Sequence, residues 1–248
     1  MNDKKTTDLH ESRCIGASAK PGMLRLIVPI FIVITFLLGG FIFVIDSIHE
    51  RNMSKLVAEH IDHISYDMQM LLEEQAKGLS ASLQIITNDA GMKNNLRVRD
   101  KEALLADWEP LFKKLNEKES VTHFYFQGSD RINILRVHNP DKNGDRIDRY
   151  TTLEAKRTGK TVFGVELGPL GTFTLRVVEP VFDGDTLIGY VELGKEIEEV
   201  LEILHRDEFI ELAVSISKEN LKRKKWENGM EMLGRKGDWE RFPDAAVI

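Results

Sequence analysis

Thiols are nearly absent from this sequence: its 248 residues include one cysteine, Cys14. That excludes an internal disulfide framework, a cysteine-rich zinc module and haem attachment through C-x-x-C-H. Positive charge is not in excess either. Thirty-four lysines and arginines face forty aspartates and glutamates, for a net charge of −6. A strongly basic nucleic-acid binder is excluded on that balance, and no nucleic acid is expected as a partner. Seven prolines and eighteen glycines are too few for a collagen-like or linker-dominated chain. Sequence motifs that carry chemistry are missing as well. There is no Gly-x-Ser-x-Gly, no Walker loop and no His-Glu-x-x-His. The run Asp141-Lys-Asn-Gly-Asp145 offers oxygen ligands but lacks EF-hand spacing and its distal glutamate. Neither a catalytic residue, nor a metal, nor a cofactor is expected.

What is present is an uneven distribution of apolar residues. Leu26 to Ile45 is a run of 20 residues without a charge. As a helix it spans about 30 Å, the thickness of a bilayer's hydrocarbon core. A buried core helix of that length needs a polar stripe, and this one has none. The run is longer than a signal-peptide core, and Asp46-Ser47-Ile48-His49 gives no cleavage site. A transmembrane helix over 26–46 is expected, after a tail over 1–25. Lys4, Lys5, Arg13, Lys20 and Arg25 precede it, whereas only Arg51 and Lys55 fall in the 20 residues after it. The positive-inside rule then puts the N-terminus in the cytoplasm and the rest outside, in an inner-membrane, single-pass arrangement.

A long helix is expected over 47–90. Leu56, Val57, Ile61, Ile64, Met68, Leu71, Leu72, Leu79, Leu83 and Ile86 follow 3- and 4-residue steps. The helix cannot stand alone, so its stripe packs on a domain, on a second copy, or on both. A homodimer is the expected partner state, although Gln75 interrupts the near-heptad spacing. His60 and His63 read as solvated residues of this helix.

A domain over 91–206 follows. Asn88 to Leu96 reads as a break. Asp100 caps a helix over 101–116, with Leu104, Leu105, Trp108, Leu111, Phe112 and Leu115 on one face. The period then changes to two. Strands are expected over 122–127, 132–138, 161–167, 172–182 and 186–193. A helix over 151–158 ends at Gly159, and another runs over 196–205. This order predicts an α+β fold: an antiparallel sheet with flanking helices on one side. Residues 207–248 read as a strand and a helix that open a further, incomplete unit.

Polar residues are unusually frequent on the strands. Arg136 and His138 share one side of strand two. Arg146 and Asp148 follow in the loop, and Glu166, Arg176, Tyr190 and Glu192 lie on the last three strands. Arginine presents a planar donor fork suited to a carboxylate. An organic anion held by Arg136, Arg146 or Arg176 is one reading; the other is internal pairing of Arg136 or Arg176 with Glu166 or Asp148, or simply the solvent face of an antiparallel sheet. Phe124, Phe126, Phe163 and Phe173 read as core. Tyr125 and Tyr190 read as ligand contacts, because a tyrosine adds a hydroxyl to its ring.

The stretch from Phe124 to Asp145 resembles the extracytoplasmic Cache domains of bacterial chemoreceptors, sensor histidine kinases and diguanylate cyclases. So do Gly164-Val-Glu-Leu-Gly168, Arg176, Glu179-Pro180 and Ile188-Gly-Tyr-Val-Glu-Leu-Gly194. The double-Cache type is the most similar. The resemblance implies a PAS-like sheet that binds a small molecule between its concave face and a covering loop and helix. It also implies signal transduction through an output module, and no HAMP-like linker or kinase histidine box lies in these residues. The alternative is an extracytoplasmic interaction or scaffold module without a small-molecule ligand.

Overall fold

A computed structural model of the chain describes residues 21–168, 170–208, 213–232 and 234–247. The cytoplasmic-tail expectation, Cys14 included, and part of the strand expected near 211 fall outside the described residues. The chain divides into two units, residues 1–61 and 62–248.

The first long element, α1, is a 67-residue helix, Pro21–Thr87. In the first unit the apolar side chains from Ile27 to Ile45 are exposed. By length and composition this stretch is sufficient to cross a membrane. In the second unit α1 becomes amphipathic. Ala76, Leu79, Leu83 and Ile86 are buried, at the 3- and 4-residue steps that set one helical face against a sheet.

Two further helices join that layer. Helix α2, Ala90–Val98, occupies most of the stretch expected to be a break. Asp89 supplies the missing start signal: its side chain accepts the Met92 amide at 2.7 Å, and Met92 and Leu96 give it a buried face. Helix α3, Lys101–Glu119, starts at the expected Asp100 cap, which accepts from Ala103 N at 2.9 Å.

The sheet has five antiparallel strands in the order β2-β1-β5-β4-β3. They are β1 (Val121–Gly128), β2 (Asn133–Arg136), β3 (Val162–Leu167), β4 (Phe173–Asp183) and β5 (Thr186–Glu196). Strands β4 and β5 form a hairpin whose register ends at Asp183 opposite Thr186. Gly184 makes the two-residue turn possible with φ of 59°. Alternation sorts the strands into two faces. Phe124, Phe126, Leu135, Leu175, Val177, Val191 and Leu193 form one core with α1, α2 and α3.

Not all helices lie on that side. Helix α4, Tyr150–Thr158, ends at Gly159 and packs with Ala155 against Val178 and Tyr190 on the opposite face. The small apolar patch offered by those two strand residues draws it there. Phe163 also departs from the core reading: it is 47% exposed, on the edge strand β3.

Helix α5, Glu198–Glu208, leaves the sheet. Beyond it lie β6 (Ser215–Ser217), a 3-10 turn (Lys218–Asn220), α6 (Arg223–Met232) and β7 (Ala245–Val247). Strand β7 returns to pair with β6. Trp226, Met230 and Ala246 form a small core of their own.

Candidate ligand-binding face

The sheet face turned away from α1 is polar and buried. It carries His123, Tyr125, Arg136, Glu166, Arg176, Glu192 and Glu196, and the segment from His138 to Gly159 lies over it. Register explains the clustering. Tyr125 sits opposite Glu192 on β5 and opposite Arg136 on β2. Arg176 lies between two glycines, Gly164 and Gly194, which leave room beside its side chain.

Glu192 is the anchor, with no exposed surface. Its carboxylate accepts from Arg176 at 2.6 Å, from Arg149 at 2.6 and 2.7 Å, and from Gln127 Nε2 at 3.0 Å. Burial pushes this carboxyl up, but the two guanidiniums and their hydrogen bonds prevail and hold it below the usual range. Arg149 is raised in return: burial works against its charge and Glu192 outweighs it.

Three guanidiniums surround one phenol ring. The Arg149, Arg136 and Arg176 carbons lie 4.9, 5.1 and 5.9 Å from the Tyr125 centroid. His123 stacks parallel to that ring and His138 meets it edge-on at 5.0 Å. Both imidazoles are neutral at physiological pH. Burial lowers His123 to about 2 and His138 to about 4, and the arginine charges add to the effect. Glu196 beside His123 moves the other way. Burial, aided by Glu198, raises it to about 7.

Each expected site residue has a definite place. Tyr125, Arg136, His138 and Arg176 come together. Glu166 joins them through Arg149 and Arg176, at 3.4 and 3.5 Å. Its other oxygen accepts from the backbone and hydroxyl of Thr151, both at 2.9 Å, and so caps α4 from a strand. Tyr190 lies buried under α4. Arg146 and Asp148 pair with each other at the exposed rim, and Asp148 also takes Arg131. Internal pairing is therefore realised in part: Arg176 has Glu166 and Glu192, whereas Arg136 has Asp145 in a two-pronged contact at 2.7 Å. Arg149, Gln127, His123, Asp145 and Glu196 complete the face and were not among the expected residues. The period-two rule already placed His123 and Gln127 on the Tyr125 side, whereas Glu196 was expected to open a helix and instead ends β5. Arg149 reaches in from a loop, which no strand pattern signals.

Among the described residues, Gln127 Oε1 and Thr152 Oγ1 are buried without a hydrogen bond, and Arg149 Nε, Arg176 Nε and Glu166 Oε2 have only their mutual ion pairs at 3.4 and 3.5 Å. Buried polar groups normally find partners, so these loosely satisfied atoms are the candidates on this face for contact with water or another polar molecule.

A helix-backed antiparallel sheet whose other face gathers buried charge beneath a loop and a short helix is a Cache-type sensory domain. Residues 57–225 match the dCache_3 family model, the double sensory domain of two-component sensor kinases, and the chain belongs to that family. No curated protein matches the chain in sequence. Among solved structures it is similar to the Escherichia coli DcuS sensor domain (16% identity, TM-score 0.46, 54% of this chain and 96% of that one). It is also similar to the Vibrio cholerae histidine kinase DctB sensor domain (14% identity, TM-score 0.42, 60% of each chain). The periplasmic domain of Vibrio cholerae LuxQ gives 16% identity and a TM-score of 0.41, over 63% of this chain and 74% of that one. The chain thus spans nearly all of the first of these and about three fifths of the second.

Proposed function

We propose that this protein is a membrane-anchored sensor whose domain lies outside the cytoplasm and binds a small solute carrying a carboxylate. One observation carries the reading: the guanidiniums of Arg136, Arg149 and Arg176 converge on Tyr125, and the Nε atoms of Arg149 and Arg176 are held only by long contacts to Glu166 at 3.4 and 3.5 Å. A carboxylate accepts from such donors, and the neighbouring acceptor without a hydrogen bond, Gln127 Oε1, suits a hydroxyl or ammonium on the same solute. The contacts are assigned to Tyr125, Arg136, His138, Arg149, Glu166 and Arg176. Arg146 and Asp148 form the rim, and Tyr190 supports the floor beside Gln127.

The exposed apolar stretch from Ile27 to Ile45 is the anchor, with the N-terminus in the cytoplasm. Exposed Met53, Leu56, Val57 and Ile61 on the same helix support pairing with a second copy. The solute shifts the sheet between two arrangements by its differential affinity for them, and α1, whose Leu79, Leu83 and Ile86 pack on the sheet, carries the shift.

A thermal-shift screen of the whole chain in detergent against organic acids and amino acids tests this function. A carboxylate that stabilises the wild type should lose its effect on Arg136→Ala and on Arg176→Ala. Retention of the effect by both variants removes the assigned face from consideration.

A further inference from the structure

The run Asp141-Lys-Asn-Gly-Asp145 has the oxygen-rich composition of a cation loop, and a cation does sit in it: the guanidinium of Arg136. Nη1 donates to the Lys142 carbonyl at 2.5 Å and to Asp145 Oδ1 at 2.7 Å, and Nη2 donates to Asp145 Oδ2 at 2.7 Å. Asn133, on the same strand, completes the wrap. Its side-chain amide donates to the Lys142 carbonyl at 3.2 Å, and its backbone binds Gly144 N and Asp145 O. The same guanidinium lies over the Tyr125 ring. One side chain therefore touches both the ligand-binding face and the loop that covers it.

The three guanidiniums around Tyr125 differ in one decisive respect. Arg149 and Arg176 are tied to Glu192, which is wholly buried and cannot leave without entering solvent through the sheet. Arg136 is tied to Asp145, whose side chain is 48% exposed against 6% for Arg136 itself. Asp145 can swing into water at little desolvation cost; Glu192 cannot. A second carboxylate offered to Arg136 meets a fork already occupied by a partner that is free to depart.

Resting on the reading above, we infer that Asp145 is a built-in competitor for the solute's carboxylate and that the Arg136–Asp145 pair latches the 139–145 loop over the binding face. A solute that takes the Arg136 fork displaces Asp145 and frees the loop. Asp145 then sets two properties at once: it weakens carboxylate binding, and it ties loop release to occupancy. The fork also favours anions that offer two oxygens side by side, as a carboxylate does, over point-charge anions such as chloride, because two acceptors match what Asp145 gives up.

Hydrogen exchange read by mass spectrometry on the full chain in detergent tests the latch. Asp145→Asn should speed amide exchange over 139–147 about tenfold while β1, β4 and β5 keep their protection. Asp141→Asn removes the same charge from the same loop but no partner of Arg136, and should leave the loop rate unchanged. Should Asp145→Asn fold poorly, Arg136→Lys keeps the charge, loses the fork and should free the loop in the same way. Succinate, citrate and L-glutamate are the ligand probes. Any of them that stabilises the wild type should speed its loop exchange and bind Asp145→Asn at least about fivefold more tightly. Equal loop rates in the Asp145 and Asp141 variants overturn the latch. So does a stabilising carboxylate that leaves the wild-type loop rate unchanged, in which case the binding face itself stands. If none of the probes stabilises any variant, the carboxylate reading fails for them, and the loop rates alone decide the latch.

Discussion

Glu192 carries the heaviest electrostatic load in this protein. It is fully buried, and two arginines depend on it for their counter-charge. Glu192→Gln keeps the shape and removes the charge, leaving Arg149 and Arg176 only their longer contacts to Glu166 at 3.4 and 3.5 Å. Breaking a buried pair in this way costs about 3–5 kcal/mol, so urea denaturation should show a loss of that order. Acidity acts at the same face through three groups. His123 and His138 have folded-state values far below 6.5, so the folded form resists protons and their contribution to stability falls as pH drops through 6.5. Glu196, raised to about 7, works oppositely: its folded form holds a proton more tightly, so its contribution grows on acidification from 7 towards 4.5. Two imidazoles outweigh one carboxyl, and denaturation midpoints measured between pH 7 and 5 should decrease. In His123→Phe, which keeps the ring and removes the titration, the decrease should shrink. At this scale the sequence showed residue type and strand side: Tyr125, Arg136 and Arg176 were legible because alternation in a strand fixes the face. Arg149 and Asp145 were not, because a loop side chain's reach depends on where the chain returns in space.

Elements are joined by contacts that residue type alone explains only afterwards. Gln75 interrupts the apolar spacing of α1, yet it accepts from the buried Lys195 of β5 at 2.9 Å, and Lys195 also donates to Glu199 at 2.7 Å. Further along, Thr87 donates to Glu179 of β4 at 2.8 Å. Between these two polar fastenings α1 packs through Leu79, Leu83 and Ile86. Helix α2 comes so close to the sheet that a β-carbon at Gly189 would lie 2.3 Å from the Gln127 carbonyl and 2.9 Å from a Leu96 methyl. Gly189→Ala should therefore cost about 1–3 kcal/mol or more in a denaturant titration, through overpacking between β1, β5 and α2. The cap on α2 is a smaller matter: Asp89→Ala should cost about 1 kcal/mol by the same measurement. The start of α3 was visible in Asp100 and its apolar periodicity. Helix α2 was obscured because its nine residues contain only a short run of apolar spacing, and its stability comes from burying Met92 and Leu96 on the sheet.

For the whole molecule, the single cysteine offers a direct reading of orientation. Cys14 precedes the apolar stretch. A membrane-impermeant maleimide applied to intact cells should leave it unlabelled, and labelling should appear once the cells are broken; labelling of intact cells would reverse the proposed topology. The polypeptide should also stay with the membrane fraction through alkaline extraction, since Ile27 to Ile45 expose apolar side chains throughout. By itself, the sequence determined that stretch, the amphipathic run after it, the five strands and the sidedness of their side chains, because each follows from composition or from a local period of two or 3.6. Only the tertiary structure decided which charges neutralise one another, that α4 lies across from the other helices, and that Arg136 fills a loop otherwise composed for a cation. Those outcomes depend on residues far apart in sequence meeting at distances of a few ångströms, where burial makes every unpaired charge costly and so selects the partner.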